Sequence, residues 1–139
     1  MPIQLPRSLA DALVAHAREG RPDEVCGVAG VRDGRVVRLE RARNAAATPQ
    51  YRFTFGDDGY RLVMQVERED LDVGIYHSHP ASPAYPSATD RAEMSATWPD
   101  CLQLMVSLRH DDTTGPEVNA YRIDRDGNVV VEDLHIVDS

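Results

Sequence analysis

Leu71-Asp72-Val73-Gly74-Ile75-Tyr76-His77-Ser78-His79-Pro80 runs through Ala81-Ser82-Pro83-Ala84-Tyr85-Pro86 into Ser87-Ala88-Thr89-Asp90. Its first part has the period of an extended chain. Leu71, Val73, Ile75, His77 and His79 share one parity, so a strand turns both imidazoles to the same side. Their Cα atoms would lie roughly 6–7 Å apart, close enough for two rings to reach one ion through bonds of about 2.0–2.1 Å. Three prolines stiffen the loop that follows. Ser87 then reads as the N-cap of a helix, with Asp90 at its third position. Ser87 and Asp90 are ordinary as a capping pair, and a cap also fixes the rotamers that a ligand needs. Both readings hold at once.

His-x-His, seven residues, Ser, two residues, Asp packs three ligand-type side chains and a hydroxyl into fourteen positions. Three protein ligands with one open position is the catalytic pattern for zinc, and mixed His and Asp donors suit that ion, although Irving–Williams ordering alone does not exclude copper or nickel. An upstream carboxylate, Glu24, stands in Glu-Val-Cys-Gly. Ligands, a carboxylate base and an oxyanion donor suffice for a zinc hydrolase. Other zinc signatures are absent: there is no His-Glu-x-x-His, and the His-x-Glu with Pro-Cys-x-x-Cys of nucleobase deaminases is missing.

Glu24, His77, Ser78, His79, Pro80, Ser87 and Asp90 fill every position of a pattern that resembles the JAMM, or MPN-plus, metalloproteases. Asp23-Glu24-Val25-Cys26-Gly27-Val28-Ala29-Gly30 is similar to that family's opening. Asn44-Ala45-Ala46-Ala47-Thr48-Pro49 with Tyr51-Arg52-Phe53 resembles the segment before the second helix of small prokaryotic members. The resemblance implies an α/β fold, a single-domain α/β/α layered sandwich with a mixed sheet of the cytidine-deaminase-like kind, over residues 1–139. It implies Zn2+ held by His77, His79 and Asp90, with Glu24 as general base and acid and Ser87 as oxyanion donor. It also implies hydrolysis after a C-terminal Gly of a ubiquitin-like protein. Only Trp98-Pro99-Asp100 separates the ligand helix from the next strand, which leaves no room for the insertion of the large deubiquitinating members. The form is that of the small, Mec-like enzymes. The expected partner is therefore a ubiquitin-like sulfur-carrier protein ending in Gly-Gly, from which an amino acid such as cysteine is released. A desampylase-like isopeptidase acting on protein lysines is the alternative, and a non-catalytic binding scaffold the third.

The rest of the chain bounds these expectations. Its 139 residues suit one domain with a real core. A net charge of −8 argues against nucleic acid. All the basic side chains are arginine, so no side-chain amine is present to carry an isopeptide-linked modifier. No apolar run approaches the ~20 residues of a membrane helix, and the N-terminus lacks a signal-peptide pattern. Two cysteines make no disulfide framework, and a cytoplasmic protein is expected. Cys26 and Cys101 read as small buried residues in strands. His16, His110 and His135 read as surface residues. Ser8 to Glu19 reads as a helix capped by Ser8, and 57–68 as a second with Tyr60, Val63, Met64 and Glu67 at helical spacing. Strands are expected at 25–31, 35–40, 51–55, 102–108, 118–123 and 129–137.

Overall fold

A computed structural model describes residues 2–138; Met1 and Ser139, the outermost residues of the expected domain, lie outside the described residues. In chain order the elements are β1 (Ile3–Pro6), α1 (Arg7–Gly20), β2 (Cys26–Arg32), β3 (Arg35–Ala42), α2 (Asp57–Arg68) and β4 (Asp72–His79). They continue with α3 (Ala88–Thr97), β5 (Leu102–Ser107), β6 (Glu117–Ile123), β7 (Val129–Glu132) and β8 (Leu134–Val137). One sheet runs β7-β6-β5-β4-β2-β3-β1-β8. It is mixed: β4–β5, β1–β3 and β1–β8 are parallel and the other pairs antiparallel.

Alternating side chains send the two faces of this sheet to different helices. Ala10, Leu13 and Ala17 of α1 join Ile3, Leu5, Ala29, Val31, Tyr76 and Leu104 in one core. Val63 and Val66 of α2 and Met94 of α3 join Cys26, Val28, Ile75 and Ile123 in the other. The α/β/α layering is as expected, but the sheet is not flat. Its two edge strands, β7 and β8, are separated only by Asp133, so the edges lie within about 7 Å of each other there. The sheet curls around α1, which touches β1, β3, β4, β5 and β8. Gly27 lets the Tyr76 ring lie close over β2: a Cβ there would collide with that ring and with the Glu40 carbonyl.

Several boundaries differ from expectation, each for a local reason. The helix N-cap is Pro6 rather than Ser8, and no side chain caps the helix. β1 enters α1 without a loop residue, and the ring of Pro6 supplies the required φ. The 129–137 run is two strands rather than one, broken at Asp133 where the chain passes from one sheet edge to the other. Residues 51–55 are not a strand; only an Asn44–Phe55 bridge forms. On α2 the buried residues are Gly59, Val63 and Val66, while Tyr60 and Met64 are about half exposed. Cys26 is buried in β2, but Cys101 precedes β5 and is partly exposed, and both thiols are free.

His16 is not a surface residue. It is half-buried on α1, where its Nδ1 accepts from the Tyr76 hydroxyl at 2.7 Å. Burial lowers its pKa to about 4; the charge of Arg41 adds to this and that of Glu19 opposes it. The folded state therefore favours the neutral ring. Its contribution to stability is complete above the ordinary value of about 6.5 and is lost as the pH falls towards 4. His16→Gln keeps an acceptor for Tyr76 without titrating. Between pH 7 and pH 4.5 it is expected to lose about 1 kcal/mol less stability than the native chain, the full shift being discounted for solvent screening at a half-exposed ring. Parallel pH profiles of the thermal midpoint would refute this.

Candidate metal centre

The end of β4 builds the site because three constraints meet there. Strand parity puts His77 and His79 on the face covered by α2 and α3. The opposite parity gives Ser78 to the backbone, where its Oγ accepts from Val25 N–H at 2.8 Å. Ser78 N–H also donates to the Val25 carbonyl at 3.0 Å. These bonds hold the chain next to Glu24 against the ligand strand. The proline loop is pinned from inside by its carbonyls. Ser107 Oγ donates to Ser82 O at 2.6 Å, His79 Nδ1 to Pro83 O at 2.6 Å, and both Asn119 Nδ2 and the Tyr121 hydroxyl to Ala84 O. At its end Ser87 and Asp90 form a capping box: Ser87 Oγ accepts from Asp90 N–H at 3.1 Å, and Asp90 Oδ2 accepts from Ser87 N–H at 2.9 Å. The capping and ligand readings coincide in one geometry.

Glu24, His77, His79 and Asp90 are all buried, and one ligand atom from each lies within 4.8 Å of the others. His77 Nε2 and His79 Nε2 are 3.1 Å apart, and Asp90 Oδ2 is 3.3 Å from the first and 3.0 Å from the second. A tetrahedral ion with bonds of about 2.0–2.2 Å spaces its ligand atoms by about 3.3–3.6 Å. The triangle is within a few tenths of an ångström of that size. A zinc ion fits this donor set. Glu24 Oε1 is buried with no protein partner. A carboxylate is costly to bury unpaired unless a cation or a reacting group faces it.

The electrostatics separate the two carboxylates. Burial works against a charged Asp90, but the imidazoles of His77 and His79 and the Ser87 amide outweigh it and hold the group well below the usual carboxylate range. Burial pushes Glu24 up to about 8, with the charge of His79 opposing and those of Asp90 and Glu93 adding. Two carboxylates with pKa values driven apart is the arrangement that divides ligand and proton-transfer roles. Burial opposes a charged His79, but its bonds to Asp90 and to the Pro83 carbonyl prevail and raise its pKa.

Beside the cluster lies a cleft of about 380 Å³, lined by Glu24, His79 and Ser87 and by Pro22, Gln50, Tyr51, Pro80, Ala81 and Ser82. Tyr51 stands at its rim, 76% exposed. Pro83 and Tyr85 of the proline loop are not among its lining; Tyr85 packs edge-on against Tyr121. The 51–55 segment is extended in a useful way. Arg52 O, Thr54 N–H and Thr54 O bond to Asn44 and Ala45 on one side. Among the described residues the N–H and C=O of Phe53 have no partner.

Three side chains had no role assigned from the sequence. Phe53 stacks on His77, with ring centroids 4.7 Å apart, and steadies a ring whose Nδ1 has no protein partner. Asn44 makes four hydrogen bonds in the loop. Gln103 is fully buried with neither amide atom paired to protein, and nothing in the fold explains it. His110 and His135 stay exposed, away from the cluster.

Comparison with known proteins agrees with this geometry. Residues 6–124 match the family described as prokaryotic homologs of the JAB domain. A CysO-cysteine peptidase of Mycobacterium tuberculosis is 42% identical over 136 residues, 94% of this chain and 88% of that protein. A desampylase of Haloferax volcanii is 38% identical over 113 residues, 76% of this chain and 80% of its own length. The solution structure of DSY2949 from Desulfitobacterium hafniense superposes with a TM-score of 0.78 at 30% identity, covering 99% of this chain and 94% of that one. AF2198 of Archaeoglobus fulgidus, a JAB1/MPN-domain protein, shares the fold with a TM-score of 0.58 at 18% identity, over 96% of this chain and 98% of its own.

Proposed function

The chain belongs to the family of prokaryotic JAB-domain proteins and is a JAMM-type peptidase, and from that premise we propose that it hydrolyses the amide after the C-terminal Gly-Gly of a ubiquitin-like sulfur-carrier protein. The leaving group in this reading is an amino acid such as cysteine, and the ion is zinc, held by His77, His79 and Asp90. The substrate choice is carried by the 42% identity, over 94% of the chain, to a CysO-cysteine peptidase. The free Cys26 and Cys101 thiols suit a reducing cytoplasm, which is part of the same reading.

When bound, zinc acidifies the attacking water and polarises the scissile carbonyl. The chain's own residues do the rest. Glu24 takes the water's proton on its unpaired Oε1 and hands it to the leaving nitrogen. Ser87 uses its oxygen to cap α3, which leaves its hydrogen to donate to the carbonyl oxygen as negative charge develops there. The segment that contributes Gln50 and Tyr51 to the cleft wall supplies the edge along which the tail lies.

Ser87→Ala separates these duties. Loss of the cap costs about 1 kcal/mol of stability, whereas loss of an oxyanion donor costs roughly 10²–10³ in kcat. We expect both, with zinc retained. A lower thermal midpoint with unchanged turnover would leave Ser87 as a cap alone.

A second reading is favoured by the 38% identity to a desampylase: removal of a ubiquitin-like modifier from protein lysines. Incubation with CysO–cysteine and with a carrier–lysine isopeptide side by side, followed by mass spectrometry, separates the two. Faster release of cysteine is expected. Exclusive cleavage of the isopeptide would reverse the assignment, and an intact pair of substrates would refute both.

A further inference from the structure

Asn44 follows β3 by two residues and lies outside the cluster of ligand-type side chains. Its carboxamide is fully used. Nδ2 donates to Glu24 O at 2.9 Å and to Arg52 O at 3.0 Å; Oδ1 accepts from Ala46 N–H at 3.0 Å and from Thr54 N–H at 3.2 Å. Those partners fix which end of the amide is which, since two carbonyls face one end and two N–H groups the other. Glu24 is held from the same loop a second time, through its N–H to Pro49 O at 2.7 Å. Both peptide groups flanking Glu24 are therefore fastened to the 44–54 segment, and the second is also tied to β4 through Val25 N–H and Ser78 Oγ.

This arrangement has a mechanical consequence. By taking Arg52 O and Thr54 N–H, Asn44 holds in place the segment whose Gln50 and Tyr51 line the cleft. By taking Glu24 O, it registers the carboxylate-bearing residue against that same segment. We propose that Asn44 is a positioning residue: it couples the edge that receives the substrate tail to the main chain of Glu24, so that a seated tail and a correctly placed base are one state. A mere loop staple would influence stability and tail binding and leave the chemical step alone. A coupler acts on the chemical step through Glu24. Misplacing a reacting group by about 1 Å costs on the order of 10²-fold, so small slippage here is visible in kcat.

The proposal rests on the functional reading above, and its test keeps the two apart. Asn44→Asp retains the oxygen that accepts from Ala46 and Thr54, which preserves the loop, but sets an oxygen against the Glu24 and Arg52 carbonyls. With CysO–cysteine as substrate, kcat is expected to fall about 10–100-fold. KM is expected to stay within about 3-fold and zinc content to remain at the native level. The decisive arm is a double-mutant cycle: in a Glu24→Gln background, Asn44→Asp should cost less than about 3-fold more, because the group it positions is already gone. Asn44→Ser, smaller and uncharged, is carried through the same cycle to cover poor folding of the Asp variant. Independent, multiplying losses in both backgrounds, or a rise in KM alone, would overturn the coupling while native turnover upholds the function. A native enzyme that leaves the adduct intact would remove both.

Discussion

Glu24→Gln is expected to keep its zinc and to lose roughly 10²–10⁴ of its turnover, the usual contribution of a general acid–base group. The substitution changes little in shape. Glutamine fills the same buried space, and the main-chain bonds of residue 24 to Asn44 and Pro49 do not involve its side chain. What it removes is an oxygen able to take and return a proton. Burial already pushes the Glu24 carboxyl up to about 8, away from the ordinary carboxylate range and in the direction that suits proton transfer. Zinc content is the necessary control. His77→Ala and Asp90→Ala each delete a corner of the ligand triangle and are expected to lose the ion and the stability it contributes. Elemental analysis of the three variants reads the difference. Turnover near native in Glu24→Gln would pass the base role to another group, and loss of zinc from it would make Glu24 a ligand.

The site was far more legible in the sequence than its surroundings, for a physical reason. A strand of period two followed by a capped helix is a local code, and the three candidate ligands fall within fourteen residues governed by it. Glu24 is distant in sequence but adjoins β2, whose Cys26 pairs with His77 in register. What could not be read was set by partners elsewhere in the chain. Ile3–Pro6 is too short, and too rich in flanking proline, to announce a strand; it is one because β8 lies beside it. Tyr51–Phe55 alternates like a strand yet is not one, because a side chain, Asn44, satisfies the main chain that a ladder would otherwise take. His16 has no ligand-spaced neighbour, but the curl of the sheet brings Tyr76 to it from 60 residues away.

Replacing the penultimate glycine of the carrier by valine is expected to abolish cleavage while the folded carrier still binds. A Gly-Gly tail has no side chains to recognise, so selection must come from main-chain pairing and from the exclusion of anything wider. The structure offers both elements. Gln50 and Tyr51 line the cleft beside Phe53, whose N–H and C=O are unpaired among the described residues and whose ring is held by stacking on His77, a candidate ligand. Beyond the cluster the cleft is lined by Pro80, and the loop that follows is tied down by bonds to three successive carbonyls, those of Ser82, Pro83 and Ala84. The Arg52–Glu93 ion pair further joins the 51–55 segment to α3, the helix that carries Asp90. Walls fastened in this way have little freedom to widen for a β-branched side chain, which would have to displace the scissile carbonyl from Ser87 and Glu24. A displacement of that kind is expected to remove turnover more than affinity, because it acts at the reacting bond. The measurement is single-turnover cleavage beside a direct binding assay with each tail. Cleavage of the valine tail within a few-fold of the native one would refute a narrow, backbone-reading groove, and equal loss of binding and cleavage would place the discrimination in docking instead of at the reacting bond.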